Sequence, residues 1–255
     1  MLGLGILSGS SLALREARRR GIGMERMSDY VFWGALVFLV VGRIGQCFSV
    51  YGLRLFAHPW VVVTELSTGI YLSAGLMALA LFSLWFIYDR NLIPSVFVDA
   101  LTPAVALTLA LSQLGSDVFG RSAVLPWAVQ LGEFQMHPVQ LYAAIGFYTI
   151  FTILWRMRRV TRYDGQLFVS FLTMSAWLMW FLSFFREVGE RSMSPWVWFV
   201  LAMAASVVFV LMYLNSPRPY GLRRRTNRFL SCIWGAVFYS FGLMAMVLFF
   251  FLRVR

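Results

Sequence analysis

Three arginines and a short polar string are the side chains best suited to handle an anion in this otherwise apolar chain. Arg43 stands in VVGRIGQ, Arg121 in SDVFGRS and Arg186 in FFRE. A guanidinium can grip a phosphate with two parallel N–H donors, as a point charge cannot. Gly42 and Gly45 flank Arg43 and leave room for a second backbone. Arg43 is then either a lipid-phosphate ligand or a side chain that snorkels to the headgroups, and its spacing does not choose between them. Gly120 is expected to support a turn that presents Arg121, with Asp117 offsetting part of the charge. In HPVQLY, His137 is open to two roles, general base or helix cap. No partner stands at a suitable spacing, so the cap is preferred. Gln140 and Tyr142 follow within the next turn and are expected to hydrogen-bond a neighbouring helix.

The elements that position these groups are membrane helices. The chain has 255 residues, 60% hydrophobic and only 13% charged, against about 25% charged in soluble domains. Lipid is therefore the solvent for most of it. A spanning helix needs about 20 mostly apolar residues, and eight segments qualify or nearly do: 2–14, 30–50, 68–88, 95–114, 138–155, 166–185, 195–214 and 229–252. The first is short. Its charges follow the apolar run and no small-residue cleavage site is evident, so it does not read as a signal peptide. All 22 basic residues are arginine, which gives a net charge of +11. Most fall in short loops between apolar runs, which argues against nucleic acid as a partner and for topology anchoring. The arginine-rich loops around 15–26, 90, 156–162 and 218–228 are assigned to the cytoplasm. Both termini, and the loops 51–67 and 115–137, then face outward. Arg43, Arg121 and Arg186 share that outer level, on three elements. Together they would suit an anionic phospholipid headgroup.

Other features are read more plainly. Asp99 lies near the cytoplasmic start of the fourth segment, where an acid complements that helix's own dipole. Cys47 and Cys232 fall at opposite membrane levels, so no disulfide is expected between them, and their spacing is not that of metal ligands. The basic, proline-punctuated stretch 216–228 divides a seven-helix body, residues 1–214, from a linker and one added helix, residues 215–255. The fold class is an all-α polytopic membrane protein. No inverted repeat is visible, which argues against a transporter.

Several motifs, in order, resemble the prolipoprotein diacylglyceryl transferase family. They are LALREARRRGI and GRIG, then DALTPAVAL, DVFGR, LPWAV, HPVQLY, DGQLF and FFRE, spread over residues 1 to 214. LPWAV followed by HPVQLY is a fairly specific pair. The resemblance implies a seven-helix body in the bacterial inner membrane. It also implies transfer of diacylglycerol from phosphatidylglycerol to a lipobox cysteine, with release of glycerol phosphate and no metal or organic cofactor.

The chain departs from the family where the chemistry is done. Ser73 stands in place of a histidine, Gln113 and Ser116 in place of an arginine and an asparagine, and Met179 near a second arginine. Asp117 stands for a glutamate, and Ser183 and Ala143 occupy acidic positions. Thiol attack needs a base and a departing phosphate needs fixed positive charge. The expectation is therefore a non-catalytic relative: a pseudoenzyme that binds phospholipid and serves as a structural or accessory subunit beside other membrane proteins. The alternative is an active transferase with a rearranged site. The lipid-headgroup candidates are Arg43, Asp117, Gly120, Arg121, His137, Gln140, Tyr142 and Arg186.

Overall fold

The computed structural model describes residues 2–52, 55, 60–64, 71–116, 119–122, 126–131, 134–186, 194–216 and 228–254. In order, the elements are α1 (Leu2–Arg19), α2 (Met24–Tyr51), α3 (Val61–Thr64), α4 (Leu72–Asp89), α5 (Pro94–Gln113), β1 (Val129–Leu131), β2 (Phe134–Met136), α6 (Val139–Met157), α7 (Gln166–Ser183), α8 (Pro195–Asn215) and α9 (Arg228–Val254). All eight expected helices form. Among the described residues, five of them (α2, α5, α7, α8 and the 235–253 part of α9) are long and apolar enough to cross a membrane. The architecture is that of an all-α polytopic membrane protein.

Two features differ from expectation. First, α1 is longer than its apolar run. Leucine, alanine, glutamate and arginine are all good helix formers, and Arg18 and Arg19 complement the negative end of the dipole. Gly21, at φ 75, stops the helix, with Ile22 N–H returned to the Ala17 carbonyl at 2.9 Å. Second, the segment 115–137 holds a two-stranded antiparallel sheet, with Val129 opposite Met136 and Leu131 opposite Phe134. Residues alternate along VQL and FQM, and Gly132-Glu133 lies between them. That is a hairpin signal.

The chain divides into two compact units, and the boundaries fall inside α1 and α5. In the unit Leu14–Phe97, α2 and α4 pack antiparallel. Tyr30 stacks among Phe82, Phe86 and Phe97, and its hydroxyl lies 2.7 Å from Ser83 Oγ. As expected, the glycines of α2 admit a second backbone: Tyr71 N–H donates to the Gly42 carbonyl at 3.0 Å, and Gly45 lies against the Ala74 methyl. Phe32, Trp33, Leu36 and Val40 stay exposed, a surface for acyl chains. Cys47 is a buried free thiol. The Cys232 side chain lies outside the described residues.

The second unit joins Met1–Ala13 to Val98–Arg255. Its core is built from α5, α6, α7 and α9, with Ala106, Ala110, Phe147, Leu154, Leu167, Met246 and Phe250 buried together. Thr108 Oγ1 ties α5 to the Gly5 carbonyl of α1 at 3.0 Å. Trp177 Nε1 ties α7 to Ser206 Oγ of α8 at 3.0 Å. On α8, Ala202 alone among the described residues is buried, and Trp196, Val200, Val207, Leu211 and Leu214 are exposed, a face for lipid.

Asp99 corrects one reading. It does not serve the amino end of its own helix. It sits in the second turn of α5, fully buried, and its carboxylate accepts from Gly165 N–H at 2.9 Å and Phe168 N–H at 3.0 Å. Those amides belong to the first turn of α7, whose own cap residue is Gly165, in the left-handed region at φ 97 with no side chain to offer. The dipole that Asp99 satisfies is therefore that of α7. Burial, and then the charge of Asp99, push the nearby Tyr163 phenol up.

Removing the Asp99 carboxylate strands two buried amides, so Asp99→Ala should cost about 2–4 kcal/mol. Asp99→Asn keeps one acceptor and should lose less. Thermal unfolding in detergent checks this. Asp99→Ala melting with the native chain would contradict the assignment.

Candidate functional site

The site residues of the second unit meet where three segments are laced by backbone hydrogen bonds. Gly120 N–H donates to the His137 carbonyl at 2.9 Å, His137 N–H to the Arg121 carbonyl at 3.1 Å, and Arg121 N–H to the Phe185 carbonyl at 2.9 Å. Ser122 also bridges to Met136, next to the hairpin. The end of α7, the start of α6 and the segment 119–122 thus form one corner. Gly120 does not act through a turn, since its φ is not positive. It acts through close approach: a Cβ there would run into the Phe185 carbonyl and the Val139 side chain, and would sit 3.2 Å from His137 Cβ.

His137 also departs from its expected role. The cap residue of α6 is Pro138, and no side chain caps that helix. The imidazole instead packs edge-on to Phe185 at 5.2 Å and to Tyr142 at 6.1 Å, with Nδ1 3.4 Å from the Tyr142 hydroxyl. Trp127 Nε1 donates to that same hydroxyl at 2.9 Å. Tyr142 is therefore tied to the loop before the hairpin rather than to a neighbouring helix.

Two polar groups face inward here without protein partners. Gln140 is fully buried, and its Oε1 finds no hydrogen-bond partner among the described residues. Arg186 is partly buried, and its Nε likewise has none. Burial pulls its guanidinium below the usual arginine range. Arg121 is exposed and donates from Nε to the Arg186 carbonyl at 3.2 Å. The structure thus joins Gly120, Arg121, His137, Tyr142 and Arg186, with Gln140 one turn away. Arg43 belongs to the other unit, where its Nε donates to the Val62 carbonyl at 2.9 Å. Asp117 lies outside the described residues, as do Glu133 and Glu187.

The positions at which the resemblance expects charge are filled differently. Ala143 is fully buried with Val139 and Leu182, and Tyr142, Leu178, Met179 and Phe185 pack around them. Ser183 turns its hydroxyl back to the Trp180 carbonyl. Gln113 ends α5, and its carbonyl accepts from both the amide and the hydroxyl of Ser116. The side chain of Ser73 lies outside the described residues.

A family model for prolipoprotein diacylglyceryl transferase matches residues 1–215. The chain belongs to that family. It is 27% identical over 195 residues to the phosphatidylglycerol–prolipoprotein diacylglyceryl transferase of Geobacter sulfurreducens, covering 72% of this chain and 75% of that one. To the enzyme of the same name from Brucella ovis it is 25% identical over 203 residues, covering 74% and 72%. Family and apolar helices together make it a multi-pass protein of the bacterial inner membrane. The helix α9 lies beyond the matched residues.

Gly120→Ala places a methyl against backbone, which cannot yield as a flexible side chain would. It should cost about 1–3 kcal/mol and should loosen the Arg121 and His137 amides in hydrogen exchange. Unchanged protection at both amides would show that the corner is not closely packed.

Proposed function

We propose that this chain is a non-catalytic relative of the transferases, one that holds an anionic phospholipid headgroup and acts as an accessory or structural subunit among other membrane proteins. The observation that carries this is the apolar packing of Ala143 and Met179 with Val139 and Leu182; the resemblance implies an acid at Ala143 and an arginine near Met179. Hydrocarbon there supplies neither a base for a thiol nor stabilisation for a departing phosphate. The corner beside it still offers the desolvated Arg186 and the Arg121 guanidinium. The headgroup is of the phosphatidylglycerol type, the lipid named in the relatives' titles. No organic or metal cofactor enters the reading. The arginine distribution supports an arrangement with both termini outside.

The helix α9 is spent on its own body, with Met246 and Phe250 in the core. The accessory role therefore rests on the replaced chemistry rather than on the added helix. The second reading is an active phosphatidylglycerol–prolipoprotein diacylglyceryl transferase. It draws on His137, whose Nδ1 lies 3.4 Å from the Tyr142 hydroxyl and which is a base candidate among the described residues of the corner.

The two readings separate in a transfer assay with purified protein, phosphatidylglycerol vesicles and a lipobox peptide. The expected result is no diacylglyceryl peptide above background. Turnover abolished by His137→Ala or Arg186→Ala would establish the second reading.

A further inference from the structure

The helix α9 is more than an appended span. The Tyr239 ring stacks on Tyr148 of α6 at 5.8 Å and 5° between planes, and its hydroxyl lies 2.9 Å from Thr149 Oγ1. Gly242 lies directly against the Tyr148 hydroxyl, and Gly235 against the Arg156 guanidinium, so that a Cβ at either position would collide. Met246 and Phe250 are buried one and two turns further on. Together these contacts fix both the rotation and the height of α9.

A helix held in that register delivers its last turn to one place. Arg253 Nη1 donates to the Leu114 carbonyl at 2.7 Å. Leu114 directly follows α5 and is itself buried. The terminal carbonyls of a helix have no helical partner and carry the negative end of its dipole. Local turns use the two before it: Gly115 N–H takes Ser112, and Ser116 N–H takes Gln113. The Leu114 carbonyl is taken by a cation from the far end of the chain. From Leu114 the chain leads on to Gly120 and Arg121, which are laced to His137 and Phe185.

We infer that α9 is a strap and Arg253 a positioning residue. By fixing Leu114, Arg253 sets the root of the loop that carries Arg121 into the corner with Arg186. The corner's backbone lacing then depends on a helix outside the family match. The inference stands on geometry. Only its link to anion binding rests on the proposed function.

Hydrogen exchange on the full chain in phosphatidylglycerol-containing nanodiscs tests it. Arg253→Ala should speed exchange of the Gly120, Arg121 and His137 amides about tenfold, the scale of one charge-assisted hydrogen bond. The Gly165 and Phe168 amides held by Asp99 should keep their protection. Arg253→Lys, which retains a donor, should keep most of the native protection at Gly120, Arg121 and His137. If Arg253→Ala fails to assemble, Arg253→Gln is compared with Arg253→Lys in the same way. Unchanged exchange at Gly120 and Arg121, or an equal rise at Gly165 and Phe168, overturns the strap. A parallel arm measures retained phosphatidylglycerol by native mass spectrometry. If the native chain retains none while the exchange effect stands, the anion reading fails and the strap survives.

Discussion

A carboxylate buried in α5 holds the amino end of α7, and the site depends on that contact. Gly165 gives α7 the sharp entry it needs but has no side chain to satisfy the first-turn amides. Asp99 supplies two acceptor oxygens across the helix interface. In a low-dielectric interior those amides would be costly to leave open. α7 is 18 residues long, about 27 Å at the usual rise, so a fixed start sets the height of its far end. That end presents the Phe185 carbonyl to Arg121 and carries Arg186. The clamp and the corner lie at opposite ends of one rigid rod.

The corner itself is a balance between lacing and desolvation. Three backbone hydrogen bonds and an aromatic group of His137, Tyr142 and Phe185 hold the corner together, and Arg186, next in the chain to Phe185, is partly buried. An arginine keeps its proton under nearly all conditions, so burial lowers its affinity for the proton without removing the charge. A partly buried cation with an open donor is more stable once an anion completes it. A phospholipid phosphate is the anion at hand in a membrane. The cluster that packs Phe185, the residue before Arg186, holds the methyl of Ala143 and the thioether of Met179, groups that exclude water but cannot move a proton.

The eight long helices and most of their ends are legible because lipid imposes a simple rule of length and apolarity; the four-residue α3 is too short to leave that signal. The elements missed were those governed by other physics. α1 outruns its apolar stretch because arginine and alanine are as helical as leucine. The hairpin hid in a segment read as loop, although VQL and FQM alternate around Gly132-Glu133. Asp99 was noticed, but its partner lies 66 residues away in sequence, and no local pattern marks such a pair. Of the candidate site residues, Gly120, Arg121, His137, Tyr142 and Arg186 meet in one corner, whereas Arg43, expected beside Arg121 and Arg186, belongs to the other unit. Their roles were misjudged where they depend on contacts: His137 packs instead of capping, and Gly120 yields space instead of turning the chain. The strap from Arg253 to Leu114 spans 139 residues and had no signal in the sequence at all.

In the proposed role, Arg186 completes its hydrogen bonding with a lipid phosphate. A high-resolution structure of the native chain in phosphatidylglycerol nanodiscs tests this directly. The expected result is a phosphate oxygen within about 3 Å of Arg186 Nε, ordinary hydrogen-bond reach, with the Arg121 guanidinium turned toward the same headgroup. An Arg186 Nε satisfied by a protein carboxylate or by water, with no lipid phosphate near either arginine, would contradict it.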